Sequence, residues 1–324
     1  MKKILVTGGT GFIGSHLVEM CLKKNFNVTC FDRYNPNYYL NNLENSAYKK
    51  NINFIFGDVR DFDSVNKAIK GHDYVFHLAA LGSIPYSYYS PLAYIKTNVE
   101  GTYNVLESCR INKIKEVVTT STSEVYGTAQ KVPISENHPL VGQSPYAASK
   151  IAADQLSISY YRSYNYNVKI IRPFNVYGPR QSMRAIIPTI INQGLYNKTK
   201  NILLGNIDTK RDFTFVSDLC EAYFKLLSIK RKFGQPFNIG TGKDYYIKEI
   251  VKMITSNLNS NLGIQIQKNR KRPKNSEVYR LVCDSKNFQS LTKWKPKISI
   301  NEGLKKTIDW YKSNKNNYSD IYQI

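Results

Sequence analysis

The chain has 324 residues, 42% of them apolar, and carries 46 Lys and Arg against 24 Asp and Glu, a net charge of +22. That length and apolar content suit one large α/β domain with a smaller lobe, or two domains, built on a sizeable core. No run of about 18 apolar residues occurs, so no membrane span is expected, and the five cysteines (Cys21, Cys30, Cys109, Cys220, Cys283) form no CxxC pair and no metal spacing with histidine, so buried free thiols in a reducing cytoplasm are expected and a metal is not.

The start of the chain, with Ile4 to Val6 followed by glycines, reads as a strand rather than the apolar stretch of a signal peptide. Strands are predicted at Lys3–Thr7, Asn27–Phe31, Asn53–Phe56, Tyr74–His77, Glu116–Thr120 and Val168–Ile171. Helices are predicted between them at Phe12–Lys24, Asp63–Ile69, Leu92–Ile111 and Tyr146–Tyr164. This alternation implies a doubly wound, Rossmann-type parallel sheet with helices on both faces, and ligands bind such sheets beyond the carboxyl ends of the strands. After about residue 175 the rhythm loosens, with Pro173, Gly178, Pro179 and Pro188 as punctuation. Helices are predicted near Arg184–Tyr196, Ser217–Ile229, Ile247–Leu258 and Asn301–Ser313, among short strands. The expected division is therefore residues 1–174 as a dinucleotide-binding domain and 175–324 as mainly a substrate lobe of mixed α/β structure.

Thr7 to Gly14 reads TGGTGFIG. Gly9, Gly11 and Gly14 fit GxGxxG, while Gly8, Gly11 and Gly14 fit GxxGxxG. Glycine permits the tight turn and lets backbone amides approach a pyrophosphate at a helix N-terminus. The pattern follows a strand and opens an amphipathic helix, which is the context it requires. Asp32 ends the second strand, where a carboxylate accepts from the adenosine ribose hydroxyls and repels a 2′-phosphate. That favours NAD; the adjacent Arg33 could instead receive a phosphate. Asp58 and Val59, after the third strand, bracket an adenine or, for Asp58, cap a helix.

Tyr146 and Lys150 are four apart on a predicted helix and share a face. A free tyrosine titrates at about 10; a neighbouring ammonium and a positive nicotinamide ring would lower it toward a general base at neutral pH. Upstream, Ser121 to Gly127 reads STSEVYG after the fifth strand. Thr122 can hydrogen-bond a substrate hydroxyl, and Glu124 adds a carboxylate. A plain alcohol dehydrogenase needs only the hydroxyl residue, Tyr and Lys, so the extra acid suggests a second proton transfer, from carbon.

These segments, with HLAA (residues 77–80), TNVEGT (97–102), SPYAASK (144–150) and RPFNVYGPRQ (172–181), make nearly the whole chain resemble the NAD-dependent epimerase/dehydratase family of extended short-chain dehydrogenases/reductases. A Glu after Thr-x resembles the nucleotide-sugar 4,6-dehydratases, whereas 4-epimerases generally lack that acid. The dTDP-glucose enzymes carry Thr-Asp-Glu; here Ser123 replaces the Asp, as in GDP-mannose dehydratases and UDP-glucuronate decarboxylases. IPYSYYSP (84–91) with RQSMRAIIPTI most resembles the N-acetylglucosamine-nucleotide 4,6-dehydratases of legionaminic-acid synthesis.

The resemblance implies NAD held by Gly8, Gly11, Phe12, Ile13, Gly14, Asp32, Asp58, Val59, Leu78, Ala79, Ala80, Asn98, Tyr146 and Lys150. It implies catalysis by Thr122, Ser123, Glu124, Tyr146 and Lys150. It implies a nucleotide-diphosphate sugar, such as UDP- or GDP-N-acetylglucosamine, contacted by Ile84, Tyr86, Asn175, Arg180, Arg211 and Arg272; arginine suits bidentate phosphate contacts. It further implies a homodimer through a four-helix bundle of the helices predicted at Leu92–Ile111 and Tyr146–Tyr164. The alternatives are a 4-epimerase or a UDP-glucuronate decarboxylase, which needs an arginine for the sugar carboxylate. A more distant one is a non-catalytic NAD- or RNA-binding member, expected to lose Tyr146, Lys150 or Glu124. The scatter of the lysines, whose densest cluster is Lys268 to Lys274, argues against a nucleic-acid partner, while a positive field would attract anionic substrates.

Overall fold

The computed structural model describes residues 1–37, 39–196 and 200–314. In its first half, β1 (Lys3–Thr7), α1 (Phe12–Lys23), β2 (Asn27–Arg33), β3 (Ile52–Gly57), α2 (Phe62–Ile69) and β4 (Tyr74–His77) follow one another. Then come α3 (Ile84–Tyr89), α4 (Pro91–Tyr94), α5 (Gly101–Ile111), β5 (Glu116–Thr120), α6 (Pro145–Tyr164) and β6 (Val168–Pro173). β4 and β6 are buried at every residue and β1 at all but its first. Helices cover both faces, so β1 and β4 read as short apolar runs rather than alternating ones, while β6 also buries Lys169 and Arg172, paired with Glu116 and Asp154.

The second half contributes β7 (Val176–Tyr177), α7 (Ile186–Tyr196), β8 (Asn201–Leu204), β9 (Lys210–Asp212), β10 (Thr214–Phe215), α8 (Val216–Ser228) and β11 (Pro236–Ile239). It ends with β12 (Asp244–Tyr246), α9 (Ile247–Asn257), β13 (Gly263–Ile266), β14 (Arg280–Leu281), α10 (Lys286–Thr292) and α11 (Ile300–Ser313). The central sheet has seven parallel strands in the order β11-β6-β5-β4-β1-β2-β3. Its strand order reverses between β1 and β4, which opens a crevice at their carboxyl ends. β11 pairs with β6 from Pro236↔Ile170 to Ile239↔Pro173. The chain therefore crosses back after residue 175, and a cut at residue 174 follows chain order rather than the sheet. The small sheets β10-β7, β12-β9-β14 and β13-β8 build the lobe over the crevice.

The helix predicted over 92–111 is interrupted. α4 and α5 are separated by a π-helical turn at Ile95–Glu100, the kind of bulge that concentrates near functional sites. Two contacts hold it. Gly101 lies against Val59, so that a Cβ there would come within 2.9 Å of Val59 Cγ2, and Asn98 reaches inward to residue 81. α2 is capped by Asp61, whose carboxylate accepts from the Asp63 and Ser64 amides, so Asp58 is not the cap. All five cysteines are buried and unpaired. Among the described residues no helix is long and apolar enough to cross a membrane.

Candidate active site

The glycine turn joins β1 to α1 at the crevice. Gly8 has φ +69° and lies so near the segment after β4 that a Cβ would sit 2.8 Å from Ala79 N; a Cβ on Gly14 would meet Gly8 O at 2.1 Å. α1 begins at Gly11 with no side-chain cap and no acid in its first turn. Its first amides and the positive end of its dipole are thus left for an anion. Phe12 and Ile13 open this helix.

The opposite wall is fixed from β4. Thr7 Oγ1 accepts from the Leu78 and Ala79 amides at 3.1 and 3.2 Å. It pairs with His77 Nδ1 at 2.8 Å, and His77 Nε2 reaches Thr102 Oγ1 at 3.1 Å. Burial pulls His77 down to about 3, with Lys150 acting the same way, so this ring is a neutral brace. Ala80 is left exposed beside the crevice. Asn98 was expected against the cofactor. Its amide is instead spent within the protein: Oδ1 accepts from Leu81 N, and Nδ2 donates to Leu81 O and Ser149 Oγ. It positions residue 81 rather than presenting free polar atoms to a ligand.

Asp32 Oδ2 accepts from Thr10 N at 2.8 Å and Thr10 Oγ1 at 2.6 Å, and Oδ1 from Arg33 N at 2.8 Å. The carboxylate is half-buried at the lip of the turn, with lone pairs left over for hydroxyl donors. Asp58 is bound by Arg60 through Nε at 2.9 Å and Nη2 at 2.5 Å, and that hydrogen bonding holds it below the usual carboxylate range. Val59 is buried, and its carbonyl accepts from Asn104.

The chemical groups stand on β5 and α6. Ser144 caps α6 by accepting from Ala147 N at 3.1 Å, and Pro145 takes the first helical position. Tyr146 and Lys150 then lie in the first turns on one face, as their spacing predicts. The Tyr146 phenol, expected to fall beside Lys150 and a nicotinamide ring, is in the protein alone pushed well above its ordinary value by burial, with Glu124, Tyr94 and Asp154 acting the same way and a hydrogen bond with the Thr122 side chain opposing them. Lys150 is 6% exposed, and its Nζ donates to Thr120 O. Burial pulls it down to about 8 against the pull of Asp154. Beneath it, Asp154 and Arg172 form a buried ion pair at 2.9 Å. Asp154 also accepts from Ser121 Oγ at 2.8 Å, and Arg172 Nη1 donates to Tyr126 Oη at 2.9 Å. Sequence reading missed this pair. The signal was available in the acid four residues beyond Lys150 on the same helical face.

Ser123 and Glu124 follow β5 in a single 3₁₀ turn capped by Thr122, and both are buried. Glu124 Oε2 lies 3.5 Å from Arg272 Nη1. Arg211, buried and pulled down to about 10 by that burial, is held up by Glu124 and Glu277 and lowered further by Arg272. Arg272 thus meets Glu124 directly, while Arg211 pairs with Glu277 at 3.8 Å and feels the Glu124 charge. Arg180 does not join them. Its Nη2 donates to Glu19 on α1 at 2.9 Å, beside the glycine turn. Asn175, just past β6, leaves its Oδ1 buried without a partner among the described residues, an acceptor that awaits a donor. Tyr86 is 37% exposed and leads by ring contacts at 6.2 Å through Tyr94 to Tyr146. Ile84, by contrast, is buried, so it backs that wall rather than lining an open face.

A family model described as GDP-mannose 4,6 dehydratase matches residues 5–307. A Methanocaldococcus jannaschii protein, provisionally named a UDP-glucose 4-epimerase, is 35% identical over 320 residues, covering 96% of this chain and 99% of that one. A Homo sapiens protein named dTDP-D-glucose 4,6-dehydratase is 32% identical over 329 residues, covering 99% and 93%. The crystal structure of DesIV, a dTDP-glucose 4,6-dehydratase from Streptomyces venezuelae with NAD and TYD bound, superposes with a TM-score of 0.89 at 29% identity, covering 97% of this chain and 98% of that one. The chain belongs to the GDP-mannose 4,6-dehydratase family.

Proposed function

We propose that this member of the family is an NAD-dependent nucleotide-sugar 4,6-dehydratase, acting on a UDP- or GDP-linked N-acetylglucosamine and releasing a 4-keto-6-deoxy sugar. The observation that carries the reading is Glu124. A buried carboxylate follows β5 by one short turn, close enough to the Tyr146 phenol to act on its titration. A reaction confined to C4 needs no second acid–base group.

The glycine turn fits a dinucleotide: a Cβ at Gly8 or Gly14 would collide with neighbouring backbone, so glycine is what lets this turn close tightly ahead of the uncapped N-terminus of α1. The neighbouring structure with NAD bound supports that cofactor. Bound there, NAD supplies hydride acceptance and return. The chain's own groups move the protons. Tyr146, assisted by the Lys150 ammonium, takes the C4 hydroxyl proton as the C4 hydride leaves. The resulting ketone acidifies the C5 hydrogen, which Glu124 removes. With Ser123 where an aspartic acid stands in the dTDP-glucose enzymes, Glu124 passes that proton to the departing C6 hydroxyl and water is lost. Return of the hydride to C6 and of a proton to C5, resupplied to Glu124 in exchange for the one Tyr146 took from the C4 hydroxyl, would close the cycle with no net oxidation. Arg211 and Arg272 hold the diphosphate, and Asn175 Oδ1 accepts from the substrate.

The experiment is incubation with a panel of nucleotide hexoses and NAD, read by mass spectrometry. Loss of one water supports the dehydratase. A product of unchanged mass favours a 4-epimerase, the reading to which the Methanocaldococcus relative points, and loss of CO2 favours a decarboxylase. Glu124→Gln is expected to accumulate reduced cofactor and 4-keto sugar without eliminating water. Elimination at near wild-type rate would remove Glu124 from the mechanism.

We also infer a homodimer through α5 and α6. Leu92 on α4, Ile95 in the π-helical turn and Tyr103 on α5 are 60%, 54% and 45% exposed, large apolar side chains of the kind an interface would cover. Sedimentation of wild type and Tyr103→Asp tests it: the wild type is expected at twice the monomer mass and the variant as monomer. A wild type that sediments as monomer would end the inference.

A further inference from the structure

Arg180 stands apart from the other arginines, and the turn that carries it is fastened on two sides. On one side is α1. Arg180 Nη2 donates to Glu19 Oε1 at 2.9 Å, Ser46 Oγ donates to the same oxygen at 2.7 Å, and His16 pairs through Nε2 with the Pro179 carbonyl at 3.0 Å. His16 and Glu19 are three apart, so one face of α1 holds both contacts. Burial pulls His16 down to about 4; neutral at physiological pH, it donates Nε2–H to that carbonyl. Glu19 is held below its usual range: burial would raise it, but the hydrogen bonds from Arg180 and Ser46 outweigh that. On the other side, Tyr311 of α11 donates its hydroxyl to Gln181 O. Arg180 itself takes the left-handed conformation, φ +69°, which a non-glycine residue holds only where its surroundings demand it.

The fastened turn borders a cavity of about 500 Å³ whose lining also includes Thr10, Gly11 and Phe12 of the glycine turn. The guanidinium is 18% exposed and Glu19 15%; its Nη1 is buried without a partner among the described residues. A cation with an unused donor thus borders the same cavity as the uncapped N-terminus of α1, tied to that same helix by the Glu19 pair.

We propose that the Gly178–Ser182 turn is a strap over the bound dinucleotide, closed by the Glu19–Arg180 pair, and that it sets how slowly the cofactor leaves. It rests on the reading above in one respect: an enzyme that borrows hydride at C4 and returns it at C6 strands its intermediate if the reduced cofactor departs. The readout, however, is cofactor retention, which is independent of what sugar is turned over.

The test is NAD dissociation from the purified full-length protein, followed by loss of bound NAD through repeated desalting and by stopped-flow displacement. Arg180→Gln and Glu19→Gln are each expected to speed dissociation by about tenfold or more, with association little changed. The double variant should be no worse than either single one, because both remove one contact. The charge-reversed pair, Glu19→Arg with Arg180→Glu, should recover slow release. Thermal melting of the cofactor-free proteins separates this from general loosening, since retention must fall even where melting does not. Wild-type retention in Arg180→Gln would overturn the proposal. So would a defect in Arg180→Gln that Glu19→Gln does not share. If retention falls as expected but no nucleotide sugar loses water, the strap stands and the dehydratase reading fails.

Discussion

Replacing Asp154 by asparagine should unmake the footing of the catalytic helix. Asp154 and Arg172 are each 2% exposed, and their charged atoms meet at 2.9 Å. Among the described residues Arg172 has one other side-chain hydrogen-bond partner, the neutral Tyr126 hydroxyl, so an amide in place of the carboxylate would leave a buried guanidinium without a counter-ion. Breaking a buried pair from one side costs roughly 3–5 kcal/mol. With an unfolding entropy of about 2.1 cal/mol/K per residue, 324 residues give about 0.7 kcal/mol/K. The apparent melting temperature should therefore fall by about 4–7 °C, measured by differential scanning at fixed scan rate and cofactor concentration. Asp154→Leu combined with Arg172→Met removes both charges and should recover most of that loss, since hydrophobic replacement of a buried pair is often neutral or stabilising. It should not recover activity, because Ser121 loses its acceptor and Lys150 loses the carboxylate that holds its charge. A single variant that melts within about 1 °C of wild type would refute the reasoning, as would a double variant no more stable than the single one.

Two further outcomes follow from the titrating groups. Burial pulls Lys150 down to about 8; if its ammonium assists Tyr146 as proposed, that help is present below that pH and lost above it, and single-turnover reduction of bound NAD should fall as pH rises through that value. Lys150→Met should be slow throughout and lack this limb, and a wild-type rate that climbs unbroken well past that pH would contradict the assignment. If the Asp32 carboxylate accepts from the ribose hydroxyls and repels a 2′-phosphate, as expected from its place at the end of β2, Asp32→Asn should narrow the preference for NAD over NADP by about tenfold, the scale of one charged hydrogen bond. Equilibrium binding of both cofactors checks this, and an unchanged ratio would move the specificity elsewhere.

Local signals made the first half of the fold legible. β1, β4 and β5 fall at their expected bounds, because a buried parallel strand is a short apolar run and the glycine turn marks where the first one ends. Tyr146 and Lys150 were readable for the same reason: their shared face depends only on helical spacing. What the sequence hid depends on distant partners. The π-helical turn at Ile95–Glu100 is held by Val59 and residue 81, neither of which a window on 92–111 contains. β11 is four residues whose place at the sheet edge is decided by β6. Arg180 looked like its fellow arginines in a loop, and its pairing with Glu19, 161 positions earlier, is settled by how the chain crosses back. Asn98 was assigned to the cofactor through the resemblance carried by TNVEGT, which could not show that residue 81 and Ser149 occupy its amide here.

The site as a whole bears on which reaction the family scaffold runs here. On the proposed reading, Tyr146, Thr122 and Lys150, steadied from below by the Asp154–Arg172 pair, move the proton and hydride at C4, a step that an epimerase and a dehydratase would share. Glu124 belongs to a second charged cluster with Arg211 and Arg272 on the other side of the β5 turn. A structural reason for it exists, since two arginines meant for a diphosphate repel one another when the substrate is absent, and an acid between them relieves that. The two roles diverge once a nucleotide sugar arrives. A carboxylate that only balances charge becomes dispensable when the diphosphate takes its place, so its amide variant should turn over normally at saturating substrate. One that removes the C5 proton is needed most at that moment, so its amide variant should stop at the 4-keto sugar however much substrate is supplied.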